Sequence, residues 1–450
     1  MTVVDRVLIN TLFERERQHF IAKHPKSQKL AERAKASLLS GVPMNWMRRW
    51  ASDFPIFIKE AEGAYITDVD GHRYLDLCLG DTGAMTGHAP SVVVKAIIDH
   101  VRRGITFMLP TEDAIRVGEE LVRRFRLPYW QIALTATDAN RFAIRLARQI
   151  TGRKLILVFN WNYHGTVDET LITLNEGIAG PRQGNIGPAI NPAVTTRVIE
   201  FNDIDALEAA LAPQDIACVL TEPALTNIGI VHPEPGYHDA LREITRSTGS
   251  LLILDETHTI CTGPGGYTRA YNLQPDMLTM GKPIASGVPA AVYGFTAEIA
   301  KQISAQTTEE HSDISGIGGT LSGNALSLAA MRATLEHVLT PAAYDRMIPL
   351  AHRFVKGVSS VIEGYGLPWN VQQLGCRVEY WFRRKPAHNG AEAAAAVDME
   401  LDRYMHLAML NRSILMTPFH NMALISPQTT EEDIDYHTKV FREIVKALIC

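Results

Sequence analysis

Cysteine is scarce in this 450-residue chain, with five residues at 78, 218, 261, 376 and 450. They are odd in number, scattered and without a CxxC pair. That spacing argues for free thiols and against a disulfide frame or a cysteine zinc site, and no metal is expected. No segment approaches the ~20 consecutive apolar residues needed to cross a bilayer. An excess of one charge is also missing. Lys and Arg total 44 against 49 Asp and Glu, a formal net charge of -5. Such a surface has no general field to hold nucleic acid or an anionic membrane, so neither is an expected partner. The opening stretch MTVVDRVLINTLFERERQHF carries charges throughout its apolar pattern and has no continuous signal core. A cytoplasmic protein is the expectation.

What is present is an ordinary globular composition, 46% apolar and 21% charged, which argues against long disorder. The length suggests two or three packed units. Residues 5–40 place Val7, Leu8, Leu12 and Phe13 at helical spacing among many charges, which predicts a helical arm. From Phe54 the pattern alternates, with turns at Glu62-Gly63 and Asp70-Gly71, as in an antiparallel meander. The middle then sets short apolar runs between helices: 132–135, 155–159, 217–221, 251–254, 277–280 and 291–295. Uniformly apolar strands separated by helices predict a mainly parallel sheet covered on both faces. After residue 325 come helices with a few strands, read as a smaller α+β domain. The expected division is 1–70 as helical arm and meander, 71–325 as the large domain and 326–450 as the C-terminal domain.

Ligands of an open parallel sheet sit at the carboxyl ends of its strands. Asp255 follows the run LLIL, and Lys282 follows MLTM by one glycine. Each lies where a strand ends, so an acid and a lysine can face one crevice. Pyridoxal 5′-phosphate (PLP) chemistry needs this combination. The lysine amine forms a Schiff base with the cofactor and moves protons, while a carboxylate keeps the pyridine nitrogen protonated. Thr135, Ala136 and Thr137 lie between a strand and a helix, where backbone N–H groups and hydroxyls suit a phosphate.

With these residues in place the chain resembles the class III, fold-type I aminotransferases, in the branch around glutamate-1-semialdehyde aminomutase and β-amino acid aminotransferases. The likeness runs from about Phe54 to about Asp435. It is carried by EGAYITDVDGHRYLDL (62–77), TATDANRFAIRLAR (135–148), NYHG (162–165), TEPALTNIGI (221–230), LLILDETHT (251–259), TMGKPIASGVPAAVYGF (279–295) and GGTLSGNALSLAAMRATL (318–335). The resemblance implies an α/β fold with a mainly parallel seven-stranded sheet in the large domain. It also implies a smaller α+β domain drawn from the N- and C-terminal segments. It implies Lys282 as the Schiff-base residue, Asp255 at the pyridine nitrogen, Tyr163 stacked on the cofactor ring and Thr257 against the opposite face. Glu222 would hydrogen-bond near the cofactor. Thr320 would reach the phosphate of a neighbouring subunit, so a homodimer with shared sites follows. His258 is read as structural.

Several positions depart from the family pattern. The phosphate loop reads Thr135-Ala136-Thr137-Asp138 where Ser-Gly-Thr-Glu is usual, and Ala285 and Ser286 replace glycines after the lysine. Asp81-Thr82-Gly83 stands where aminomutases commonly have Ser-Trp-Gly. The segment PFHNMALIS (418–426) has no acid where the aminomutases carry a glutamate. From sequence alone a transaminase is therefore preferred. It would work by a ping-pong mechanism between an amine or β/ω-amino acid donor and a keto acid or aldehyde acceptor. An aminomutase or an amino acid racemase/epimerase is the alternative. A substrate carboxylate would call for an arginine. Arg48 and Arg49, with Trp50 and His420, are the expected substrate contacts.

Overall fold

The computed structural model describes residues 5–306 and 315–449, and the chain divides into two units. One is built from residues 91–341 with 387–395, the other from 1–90, 342–386 and 396–450. Cys78, Cys218, Cys261 and Cys376 are buried free thiols, and Cys450 lies outside the described residues.

The first of these units holds a seven-stranded sheet. Its strands are β1 (Tyr129–Ala133), β2 (Leu155–Phe159), β3 (Thr196–Ile199), β4 (Ile216–Thr221), β5 (Leu251–Asp255), β6 (Met277–Met280) and β7 (Ala291–Phe295). They lie in the order β1-β7-β6-β5-β4-β2-β3. Neighbours are parallel except that β7 runs antiparallel to both β6 and β1. Every residue of β4, β6 and β7 is buried, as expected of strands covered on both faces. Each fully buried Ile, Leu or Val there contributes on the order of 2 kcal/mol by leaving water. The helix Ala136–Thr151 supplies one cover. It turns Ala139, Phe142, Ala143, Leu146 and Ala147 into a cluster with Ile156, Val158, Cys218, Leu220 and Ile253.

Six strands fall on the apolar runs, with β1 beginning three residues before the run at 132–135. The seventh, β3, escapes a search for continuous apolar runs because it is an edge strand reading TRVI. Its Arg197 grips Asp215 with both guanidinium nitrogens, at 2.5 and 2.7 Å. A charge is tolerated at that position because only one face of the residue needs cover.

The other unit contains the antiparallel meander Ile58–Glu62, Tyr65–Asp68 and Arg73–Asp76, with Gly63 and Gly71 at positive φ in its two turns. Ile414–Leu415 adds a parallel edge to Arg73–Asp76. A second sheet pairs Asn370–Leu374, Arg377–Trp381 and Met422–Leu424. The helices Arg6–Lys23 and Pro25–Ala34 form the arm. His24, at the end of the first, places Nδ1 2.7 Å from the Phe20 carbonyl and Nε2 2.7 Å from the Tyr74 hydroxyl, pinning the arm to the meander.

Candidate active site

Asp255 is the last residue of β5 and pairs in register with Thr279 of β6, so the two carboxyl ends lie side by side. Lys282 follows two residues after β6. Asn140 ties three elements together. From the buried face of its helix, one position around from Ala143 and Ala147, its Nδ2 donates to Asp255 Oδ2 at 2.8 Å. Its Oδ1 accepts from the Thr279 hydroxyl at 2.5 Å. The motif reading passed over Asn140. The signal was there, because a polar, weak helix former on an apolar helix face calls for a partner.

The Asp255 carboxylate is 3% exposed. His164 Nδ1 lies 2.9 Å from Oδ2, and the Thr257 N–H donates to Oδ1 at 3.0 Å. An ionised carboxylate only accepts, so His164 carries its proton on Nδ1. Burial pushes the Asp255 carboxyl up. The hydrogen bond and charge of His164, with bonds from Thr257 and Asn140, outweigh it and hold the group below the ordinary aspartate value. A carboxylate has about four lone-pair directions, and these three donors leave Oδ1 able to take one more. A protonated pyridine nitrogen is a donor of that kind, so the site fits the PLP ring.

A phosphate has a matching cradle. Thr135 caps the helix Ala136–Thr151, accepting from the Asp138 N–H at 3.1 Å, and the N–H groups of Ala136 and Thr137 open the helix. The Thr137 hydroxyl accepts from the Thr166 N–H at 3.1 Å, joining this turn to the loop that carries Tyr163. Gly281 packs on the same turn. A Cβ built on it would stand 3.0 Å from the Ala136 Cβ and 3.1 Å from the Ala136 nitrogen. The methyl that this phosphate loop gains at 136 therefore faces the methyl that the lysine loop lacks at 281. Ala136 is helical, so the usual glycine is not needed there for backbone reasons.

Lys282 has φ +48, the left-handed region that side-chain-bearing residues seldom adopt. It opens a short 3-10 turn, Lys282–Ala285, and its Nζ lies 2.8 Å from His258 Nε2. That histidine, read as structural from sequence, is thus in contact with the proposed anchor. Ser286, also at positive φ, is held by a 2.8 Å hydroxyl contact with Thr334.

Glu222 directly follows β4 and accepts from the Thr226 hydroxyl. Tyr163 is half-buried between the fully buried Asn162 and His164. Arg182, absent from the sequence-based expectations, donates to the Asn162 carbonyl at 2.6 Å and lies 5.3 Å from the centre of the Trp161 ring. Burial lowers its guanidinium to about 10, against the raising effect of Tyr163 and Glu222. Thr320 is exposed.

Glu256, next to Asp255, points elsewhere. Fully buried, it accepts from the Thr259 hydroxyl and from the Tyr267 and Thr268 N–H groups, at 3.0 and 2.5 Å for the latter two. It knits the loop that carries His258. Gly266 has φ +62, and a Cβ there would stand 2.5 Å from Glu256 Oε2. Gly266→Ala is therefore expected to destabilise the enzyme by about 3 kcal/mol, strain and overlap together. Denaturant titration of the purified variant checks this, and an unchanged midpoint would refute it.

The remaining expected residues belong to the other unit. Arg48 and Arg49 are exposed, and Arg48 contacts Asn45 Oδ1 at 3.3 Å. Trp50 is half-buried against the cluster around Phe20 and Tyr74. His420 Nδ1 lies 3.4 Å from Glu379 Oε1. Glu379 and Arg377 share one face of a strand, two residues apart, both buried. Arg377 stands 3.7 Å from Asp81 Oδ1 and 3.4 Å from the Thr82 hydroxyl. Asp81 and Thr82 both have positive φ. This charged cluster was missed from sequence, although two charges alternating through the apolar run CRVEYW are its signature. Nearby, burial raises the Asp402 carboxyl to about 7, partly offset by the Asn421 amide that donates to it.

Among the described residues, no helix is long and apolar enough to cross a membrane. The family model for class-III aminotransferases matches residues 46–445. The glutamate-1-semialdehyde 2,1-aminomutase of Sorangium cellulosum is 35% identical over 434 residues, covering 94% of this chain and 97% of that protein. The crystal structure of a glutamate-1-semialdehyde-aminomutase from Pseudomonas aeruginosa PAO1 is 47% identical, covers 99% of both chains and superimposes with a TM-score of 0.97. A lysine-to-alanine variant of that protein, in complex with PMP, matches equally well. An omega-transaminase from Sphaerobacter thermophilus is 26% identical, with 94% and 97% of the two chains covered and a TM-score of 0.85. The chain belongs to the class-III aminotransferase family and is a PLP-dependent enzyme of fold-type I.

Proposed function

We propose that the enzyme moves an amino group between adjacent carbons of one substrate, as a 2,1-aminomutase does. The observation that carries this is likeness across the whole chain to proteins described as glutamate-1-semialdehyde aminomutases, at 47% identity over 99% of both chains in one case. The absence of an acid from residues 418–426 spoke for a transaminase. The adjoining strand does bring a buried acid, Glu379, to 3.4 Å from His420 of that segment.

In this reading PLP, when bound, draws off electron density from the substrate carbon that loses a proton. The chain's own groups do the rest. Lys282 holds the cofactor and then carries the proton. Asp255, kept ionised by His164, Asn140 and Thr257, holds the proton of the pyridine nitrogen. The turn at Thr135, Ala136 and Thr137 receives the phosphate, Tyr163 and Thr257 bracket the ring, and Glu222 orders one edge. Thr320 is assigned to the phosphate of a second subunit in a homodimer. Arg48 or Arg49, with Trp50 and His420, is assigned to a substrate carboxylate.

The test is incubation of the holoenzyme with glutamate-1-semialdehyde and no other amino donor or acceptor. Formation of the amino-shifted isomer at catalytic turnover is expected. Product that appears only as a separate keto acid is consumed would replace this reading with ping-pong transamination, the reading favoured by the missing glutamate at 418–426. Solvent deuterium entering the substrate carbon without migration would point to a racemase.

A further inference from the structure

We propose that His258 is the proton-accepting and positioning partner of the Lys282 amine. This rests on the reading of Lys282 as the cofactor's anchor. Lys282 is aimed rather than trailing. Its backbone is left-handed, Gly281 before it is packed on Ala136, and Ser286 behind it is fastened to Thr334. The amine ends 2.8 Å from His258 Nε2. His258 is equally fixed. It precedes the 3-10 turn Thr259–Thr262, its carbonyl accepts from the Cys261 N–H, and Glu256 knits the loop on both sides.

A contact between two nitrogens needs one donor and one acceptor. Two cations would repel at this separation, so the pair carries a single shared proton. A free lysine amine is protonated at neutral pH and in that form has no lone pair for bond formation. It becomes a nucleophile only after losing that proton. The neutral imidazole is already in line to take it. One Nζ–H bond breaks, one Nε2–H bond forms, and the electron pair of the broken bond stays on Nζ as the lone pair of a neutral amine. The imidazolium then returns the proton to water.

The charged surroundings suit this exchange. At the end of β5, where this loop begins, Asp255 is held ionised and favours a positive charge nearby, while Glu256 is occupied by Thr259, Tyr267 and Thr268. His164 is spent on Asp255. On the helix Ala136–Thr151, Asp138 is bonded to the Thr135 hydroxyl. On the helix Ala325–His337, which packs against the Lys282 turn, Arg332 is paired with Asp113 and Glu336 with Arg116.

The experiment is the rate at which apoenzyme takes up added PLP covalently, followed by visible absorbance, for wild type, H258A and H258Q. Rates are taken across neutral to alkaline pH, with and without added imidazole. Circular dichroism and equilibrium dialysis of PLP confirm that each variant folds and binds the cofactor. General-base help of this kind is worth on the order of 100-fold or more. H258A and H258Q are both expected to load at least ~100-fold more slowly near neutral pH. The deficit should shrink as rising pH deprotonates the lysine directly, and imidazole should rescue H258A while leaving wild type unchanged. Wild-type loading by H258Q, which keeps a hydrogen-bonding group but cannot take a proton, would overturn the proposal, as would H258A that imidazole fails to accelerate. If wild type itself never attaches PLP, the anchor reading has failed and the proposal goes with it. That outcome is distinct, because no variant would then differ from wild type.

Discussion

Lys282→Ala is expected to leave a folded protein that binds PLP without the visible band of a covalent C=N bond, and to lower kcat by about 10⁴-fold. Both losses come from one amine. In the proposed reading it holds the cofactor covalently and is also the base that carries the substrate proton. Stability should change little, because the side chain reaches a histidine rather than an apolar core. Alanine also tolerates the left-handed backbone of residue 282 about as well as lysine does. Absorbance spectra and single-turnover kinetics check the claim together. A variant that retains the covalent band would end the assignment, since the attachment would then lie on another lysine.

Asp255→Asn tests the other half of the pair, and its effect is expected to be about 10²–10³-fold in kcat. The substitution keeps shape and removes charge. It also breaks a local rule. Asn140, His164 and Thr257 all present N–H donors to this carboxylate. An amide NH₂ would face one of those donors, costing about 1–3 kcal/mol of stability through an unmet buried group.

The pH dependence separates charge from packing. A carboxyl held below its ordinary value in the folded state contributes stability that is fully present above the unfolded value. That stability is lost as pH falls through the folded one. Wild type should therefore lose part of its advantage over the variant as pH drops below about 4. Denaturant midpoints at neutral pH and near pH 3 measure it, and a gap that widens on acidification would contradict the assignment.

Asp255 and Lys282 were legible because each is the polar residue that ends or closely follows an apolar strand, and a parallel sheet brings such ends together. The same reasoning recovered six of the seven strands and the helix that caps the phosphate loop. It failed where the deciding contact is remote in sequence. His258 and Lys282 are 24 residues apart, and nothing in DETHT says which ring lands on which amine. Glu379 lies far from the segment where an acid was sought, on a strand that pairs with it. Asn140 sits inside a matching stretch without an assigned role and Arg182 lies outside all of them, and their meaning comes from burial beside groups that motifs did mark. Edge strand β3 was lost because its burial is one-sided, so its composition is mixed.

The contact between Ala136 and Gly281 bears on how this enzyme can be recombined. The two residues belong to loops 145 positions apart, yet between them there is room for one methyl group. A graft that imports a lysine loop with alanine at 281 and keeps the resident phosphate loop would set two methyl carbons 3.0 Å apart. The reverse graft, glycine at both positions, would open a gap beneath the turn proposed to receive the phosphate. Chimeras of these loops must therefore exchange both segments together, as one inherited block.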